Sequence, residues 1–201
     1  MKMDIKLFGK WYIKDIEIRD PGLKRYIVLE PVIIPHSHGR LAKKQFGKSK
    51  TNLIERFINK MMVPGHEGKK HKRTSGRIVG KKEKNYKIFI KAMEKIEEKT
   101  KKNPIEVFVR AVENAALREE VAGYQVGGII VRRAVVTSPQ RRVDLALRNI
   151  AQAAYKKSFA SKMSIIDALV DEIIAAYHND ASKSIAIREK ERIEREAEGS
   201  R

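Results

Sequence analysis

Among its 201 residues the chain has no cysteine, which excludes disulfides, thiolate metal sites and a thiol nucleophile. That absence fits a reducing compartment. Aromatic residues are sparse at 6%, with a single tryptophan. No apolar run approaches the ~20 residues of a membrane-spanning helix. The opening, MKMDIKLFGKWYIK, scatters charge through its apolar residues and lacks a signal-peptide core. Together these absences make an intracellular, soluble protein with no membrane partner the default expectation. Negative charge is also scarce: 25 acidic residues face 44 lysines and arginines, a formal net charge of +19. Solubility needs far less, so the excess points to a polyanionic partner.

Apolar residues make up 42% of the chain, enough for a folded core, and the length suits one domain with extended arms. The charge is unevenly placed. Residues 1–50 carry a net +7 and residues 60–84 another +7, while the remainder is only mildly basic. The expected organisation is therefore a basic N-terminal extension over 1–50 and a helical domain over 51–201. Positive limbs on a nearly balanced body suit threading along a folded polyanion better than resting on a flat one.

Residues 1–50 lack sustained periodicity. They hold an aromatic patch (Phe8, Trp11, Tyr12) and the basic coil PHSHGRLAKKQFGKSK. Lys6, Lys10, Arg40, Lys43, Lys44, Lys48 and Lys50 are the candidate RNA contacts; the plainer alternative is an extension packed on the main body. Leu53, Ile54, Phe57, Ile58, Met61 and Met62 follow the spacing of a buried helical stripe and predict a helix over 51–62. Arg56 and Lys60 fall off that stripe. Four glycines and a proline make 63–84 a loop, with Lys69, Lys70, Lys72, Arg73 and Arg77 as further candidates. A helix is expected over 86–100. The next opens at Asn103-Pro104, where asparagine caps, proline fits the first position and Glu106 can reach back.

Two β-branched runs, Val121–Val126 and Ile129–Thr137, flank Gly127-Gly128, a pair suited to a tight turn with φ > 0 at both centres. Ser138 and Pro139 then start a helix as N-cap and first residue. Its Val143, Leu147, Ile150 and Ala154 face inward, leaving Arg141, Arg142 and Arg148 on other faces. Ser164 with Asp167 opens a further helix. A charged helix over 181–197 is anchored by Ile185, Ile193 and Ala197, with Glu191–Arg195 and Arg192–Glu196 at i, i+4. The fold class is mainly α: a bundle of about six helices, one protruding β-hairpin at 121–137 and an extended basic N-terminal arm.

Several strings imitate chemistry. Ala42 to Ser49 approaches a phosphate-binding loop, but alanine replaces the first glycine and no strand is expected before it. His36 with His38, or His66 with His71, could in principle hold zinc, yet cysteines and a carboxylate shell are missing. Glu119-Glu120 is an acidic pair without a histidine or metal motif, and pairing with nearby arginines accounts for it. No cofactor and no enzyme is implied.

The run VGGIIVRRAVVTSPQRRVDLALRNI (126–150) resembles the signature of the small-subunit ribosomal protein seven family. LIERFINKMM (53–62) and NPIEVFVRAVENA (103–115) are similar to it in the same order. IKLFGKW (5–11), PHSHGR (35–40) and the ending SIAIREKERIEREAEGSR look like the archaeal and eukaryotic branch; bacterial members lack such an arm. Asn149 stands where many bacterial relatives have tryptophan, and 63–84 is longer and richer in glycine than the family pattern.

The resemblance implies a cytoplasmic protein in the head of the small ribosomal subunit. It implies early binding to the 3′ major domain of the rRNA, after which other head proteins join. Neighbouring head and platform proteins, exit-site tRNA and mRNA are the further partners implied. On these residues, Tyr124, Gln125, Arg132 and Arg133 would touch rRNA or tRNA from the hairpin. Arg141, Arg142 and Arg148, with Arg56 and Lys60, would grip rRNA from the helices. A DNA-compacting protein, or a regulator binding its own message, would share the same charge. Neutralising Arg141 and Arg142 is expected to weaken binding of an rRNA head fragment more than neutralising the lysines of 69–73. A salt series on each variant checks this, and equal losses refute it.

Overall fold

The computed structural model describes residues 5–67, 70–71 and 78–201. Helix starts are set by short polar side chains that satisfy the first free N–H groups. Helix α1 (Leu53–Met61) opens at Asn52, whose side chain accepts from the Ile54 N–H. After it, β1 (His66–Glu67) and β2 (Lys70–His71) form a two-residue ladder inside the predicted loop. Helix α2 spans Lys82–Thr100, and α3 (Pro104–Ala115) opens at Asn103, which accepts from the Ile105 N–H. Strands β3 (Glu119–Val126) and β4 (Ile129–Val136) form the antiparallel hairpin. Its turn places Gly127 at φ 53° and Gly128 at φ 88°, the left-handed geometry that glycine adopts without a Cβ penalty. Helices α4 (Pro139–Ser158), α5 (Ile165–Tyr177) and α6 (Ile185–Glu198) complete the order.

Ser164 and Ser184 cap α5 and α6 through their hydroxyls, whereas Ser138, at the expected position before α4, makes no side-chain cap bond. Helix α2 begins four residues earlier than its apolar stripe suggested. The mainly α bundle with one long hairpin is as expected.

The core centres on three phenylalanines from three helices. Phe57 of α1, Phe89 of α2 and Phe108 of α3 place their rings 4.9–5.9 Å apart, tilted or edge-to-face as the aromatic quadrupole favours. The N-terminal segment joins this core rather than skirting it. Leu7, Trp11, Ile13, Leu23 and Ile27 are all buried in the same cluster. Phe8 packs against Tyr86 and Phe89, and the Trp11 indole N–H donates to Glu97 Oε2 at 2.8 Å. Its residues form turns and bridges, which have no hydrophobic period to read.

One set of anchors differs from expectation. Ala186, Ile187 and Ala197 are the buried residues of α6, while Ile185 and Ile193 are only half-buried. The helix begins at Ile185, four residues later than its composition suggested. Its phase is fixed by fully buried Glu172 of α5, which accepts from the Ser184 hydroxyl at 2.7 Å and the Ala186 N–H at 2.9 Å.

Truncating Leu7 to alanine is expected to cost about 2–4 kcal/mol, the range for emptying a filled core site. Urea unfolding of the full chain measures it; an unchanged midpoint would show that the N-terminal segment is not part of the cooperative unit.

Candidate nucleic-acid interface

Helix α1 lies between the N-terminal segment and α4. On one side the Leu53 N–H donates to Val28 O at 2.9 Å. On the other, Arg56 Nη2 donates to Asp144 Oδ1 of α4 at 3.0 Å, and Arg56 Nη1 to Tyr26 O at 2.7 Å. Arg56 is only 5% exposed. Arg56 falls off the apolar stripe yet is buried, because α1 is covered on two sides. Lys48 pairs with the other oxygen of Asp144. Burial alone would raise the Asp144 carboxyl, but the bonds and charge of Lys48 and Arg56 outweigh it and hold it below its ordinary value.

Around this clamp, Lys48, Lys60, Arg141 and Arg148 line a cleft of about 360 Å³ at the amino end of α4, where the helix dipole adds positive potential. Burial lowers the Lys60 ammonium below its usual range, with Asp144 opposing the shift and Arg148, Lys48 and Arg56 reinforcing it. Arg148 is exposed, and Gln140 Nε2 is buried there without a hydrogen-bond partner among the described residues.

The arginine pair at the start of α4 divides its roles. Arg141 is exposed and forks onto Glu120, with Nε to Oε1 and Nη2 to Oε2 both at 2.7 Å. Arg142 turns inward instead, donating through Nε to Leu117 O at 3.0 Å and through Nη2 to Asp20 Oδ2 at 2.7 Å. Off the apolar stripe as expected, it ties the N-terminal segment to the hairpin's root rather than facing solvent. Glu119 pairs with Arg201, so the acidic pair serves ion pairing as expected.

The hairpin candidates do not share a face. Register sets Tyr124 opposite Val131 and Ala122 opposite Arg133, and it sets Gly123 opposite Arg132 and Gln125 opposite Ile130. With alternation along each strand, Tyr124 and Arg133 occupy one face and Gln125 and Arg132 the other. All four are exposed. On the N-terminal segment, Lys6 sits 4.5 Å from the Tyr12 ring centre, and Lys10 pairs with Glu94. Arg40 and Lys43 lie on one 3-10 turn and Lys48 and Lys50 on the next, with Lys44 between them; all five are exposed. Lys70 lies on β2, while Lys69, Lys72, Arg73 and Arg77 are outside the described residues.

The string that imitates a phosphate loop has another purpose. A Cβ at Gly47 would fall 1.8 Å from Leu41 O, so the glycine permits a close backbone approach between two short turns. His36 and His38 stack on each other at 4.1 Å, and among the described residues no cluster of three or more ligating side chains is placed to hold a metal. No described helix is long and apolar enough to cross a membrane. Sequence reading missed Arg19, Arg118 and Lys190, which line one cleft at the hairpin's root from three distant stretches of chain. No local pattern joins such positions.

Asp144 supplies a pH test. Its carboxyl is held low in the fold, so the unfolded chain binds the extra proton as acid is added, and stability falls with pH. Its contribution is complete above the ordinary carboxylate range, about pH 4, and disappears below it. Asp144→Asn is expected to be less stable at neutral pH and to lose less on acidification. Urea midpoints from pH 7 to pH 3 check this; parallel curves refute it.

The family described as Ribosomal protein S7p/S5e matches residues 23–201 of the chain. The small ribosomal subunit protein uS7 of Nanoarchaeum equitans is 50% identical over 199 residues, covering 99% of this chain and all of that protein. The protein of the same name from Archaeoglobus fulgidus is 48% identical over 200 residues, covering the whole of this chain and 97% of its own length. With the helices, the hairpin and the outward cations in one order along the chain, this similarity shows that the chain belongs to the ribosomal protein S7p/S5e family.

Proposed function

We propose that the chain is a structural, non-enzymatic constituent of the small ribosomal subunit, bound to the 3′ major domain of its rRNA. The observation that carries this reading is 50% identity, over 99% of the chain, to a protein named for that subunit. The charge of +19 and its placement on exposed side chains supply the attraction that a folded RNA requires.

In this reading, Lys48, Lys60, Arg141 and Arg148 meet phosphates beside α4. Arg40, Lys43, Lys44 and Lys50 continue the track along the N-terminal turns, with Lys6 and Lys10 farther along. Arginine forks suit bidentate phosphate contact, and lysines add looser neutralisation. Arg56 and Arg142 contribute indirectly, by holding α1 and the N-terminal segment against α4. Lys69, Lys70, Lys72, Arg73 and Arg77, in the sequence between α1 and α2, add further positive charge for the rRNA. The two hairpin faces, bearing Tyr124 with Arg133 and Gln125 with Arg132, reach rRNA, exit-site tRNA or mRNA. Binding of the rRNA head domain comes early in assembly, and neighbouring head and platform proteins follow. The place of work is the cytoplasmic ribosome.

The test is binding of a folded head-domain rRNA fragment, in competition with duplex DNA, across a salt series. The RNA is expected to win. Neutralising Lys48, Lys60 and Arg148 together is expected to flatten the log–log salt slope by roughly 0.7–0.9 for each phosphate that is no longer neutralised. Equal affinity for duplex DNA, or an unchanged slope, would sink the reading.

A further inference from the structure

At the root of the hairpin, separate from the cleft beside α4, lies a second and larger cleft of about 1090 Å³. Its walls come from the N-terminal segment, α3, the entrance to α4, the end of α5 and α6. Two ion pairs in it are already satisfied. Arg142 holds Asp20, and Arg110 Nη1 donates to Glu113 Oε2 at 2.7 Å. Around these neutral pairs stand Arg19, Arg118 and Lys190, against the single carboxylate of Glu106.

Two buried polar groups lining this cleft have no hydrogen-bond partner among the described residues: the Thr137 hydroxyl, on a residue 2% exposed, and Arg110 Nε, on a residue 7% exposed. Buried donors and acceptors are ordinarily paired, and one left bare costs about 1–3 kcal/mol. Both point to a polar ligand. At the rim, the Tyr177 and His178 rings lie 5.0 Å apart and nearly perpendicular, with the His178 side chain exposed. Lys190 Nζ is already committed to Asn114 O at 2.9 Å, which leaves Arg19 and Arg118 as the exposed cations of the cleft. An exposed ring in a cleft with such cations is the combination that receives an unstacked base next to its phosphate.

From these features we infer that the cleft binds one unstacked nucleotide of single-stranded RNA. Arg19 and Arg118 meet its flanking phosphates, His178 carries the base, and Thr137 with Arg110 Nε meets polar atoms deeper in. The volume, about 1090 Å³, exceeds the roughly 300–1,000 Å³ typical of sites that enclose small organic ligands, so the nucleotide enters with its flanking phosphates. An acidic peptide would answer the cations but leave the ring unused. The inference rests on the RNA-binding reading above, yet concerns a surface that reading does not use.

The probe is a five-nucleotide RNA with 5-iodouridine at its centre, photo-crosslinked to the full chain at about 150 mM salt. The crosslink is expected at Tyr177 or His178. Arg19→Gln with Arg118→Gln, two exposed positions, is expected to lower pentanucleotide affinity about tenfold while leaving the melting temperature unchanged. His178→Ala is expected to weaken the pentanucleotide but not inorganic phosphate, a split that a purely structural histidine would not give. Crosslinks confined to the hairpin or the N-terminal turns would overturn the inference, as would unchanged affinity in the double variant. So would a glutamate-rich peptide that binds through Arg118 where the RNA does not. A parent chain that binds the head-domain fragment but not the pentanucleotide sinks this inference alone; failure to bind the fragment sinks the earlier reading.

Discussion

The carboxylate of Asp144 is the point on which the arrangement turns. It receives Arg56 from α1 and Lys48 from the second N-terminal turn, and so brings three separate stretches of chain together. Removing either partner of the buried Arg56–Asp144 pair leaves an uncompensated charge out of water, which costs far more than the pair contributes. Its position also gathers Lys60, Arg141 and Arg148 around one cleft. A single acid thus decides both how α1 seats and where the positive surface forms.

The same device recurs. Glu55 holds Lys82 at 2.6 Å and the Ser37 N–H at 2.8 Å. Glu120 orients Arg141, Glu113 orients Arg110, and Glu172 receives Lys157 at 2.6 Å together with the amino end of α6. The chain is short of acids, and these, with Asp144 and Asp20, pair inside the fold or at its seams. Their placement leaves many of the surplus lysines and arginines facing outward. A strongly charged protein repels itself when compact; the internal carboxylates answer that repulsion where packing is closest.

The helices were legible because their signals are local. Asn103 and Ser164 mark helix starts by side-chain chemistry, the stripe from Leu53 to Met62 marks α1 by its period, and Gly127-Gly128 marks the turn by backbone need. The N-terminal segment was not legible, since Leu7, Trp11, Ile13, Leu23 and Ile27 reach the core from turns with no fixed period. At the candidate site, residue type identified the basic positions, but orientation escaped. Arg141 and Arg142 are adjacent in sequence, and only tertiary packing sends one outward and the other to Asp20. The burial of Arg56 escapes the sequence for the same reason: a helical wheel shows one buried stripe, not a helix covered on two sides. The cleft of Arg19, Arg118 and Lys190 joins residues far apart in sequence, and nothing shorter than the whole fold could assemble it.

Among the described residues the ribbon formed by β3 and β4 has two strands, and beyond the Ala134 N–H, which donates to Ser200 O, their outer edges carry backbone groups not engaged by the other strand. Its far end also exposes apolar side chains, with Ile129 and Ile130 each 71% exposed. Such edges invite pairing with any extended chain nearby. The tip of this ribbon is therefore where two copies of the chain would first clump, and whatever covers Ile129 and Ile130 removes that hazard.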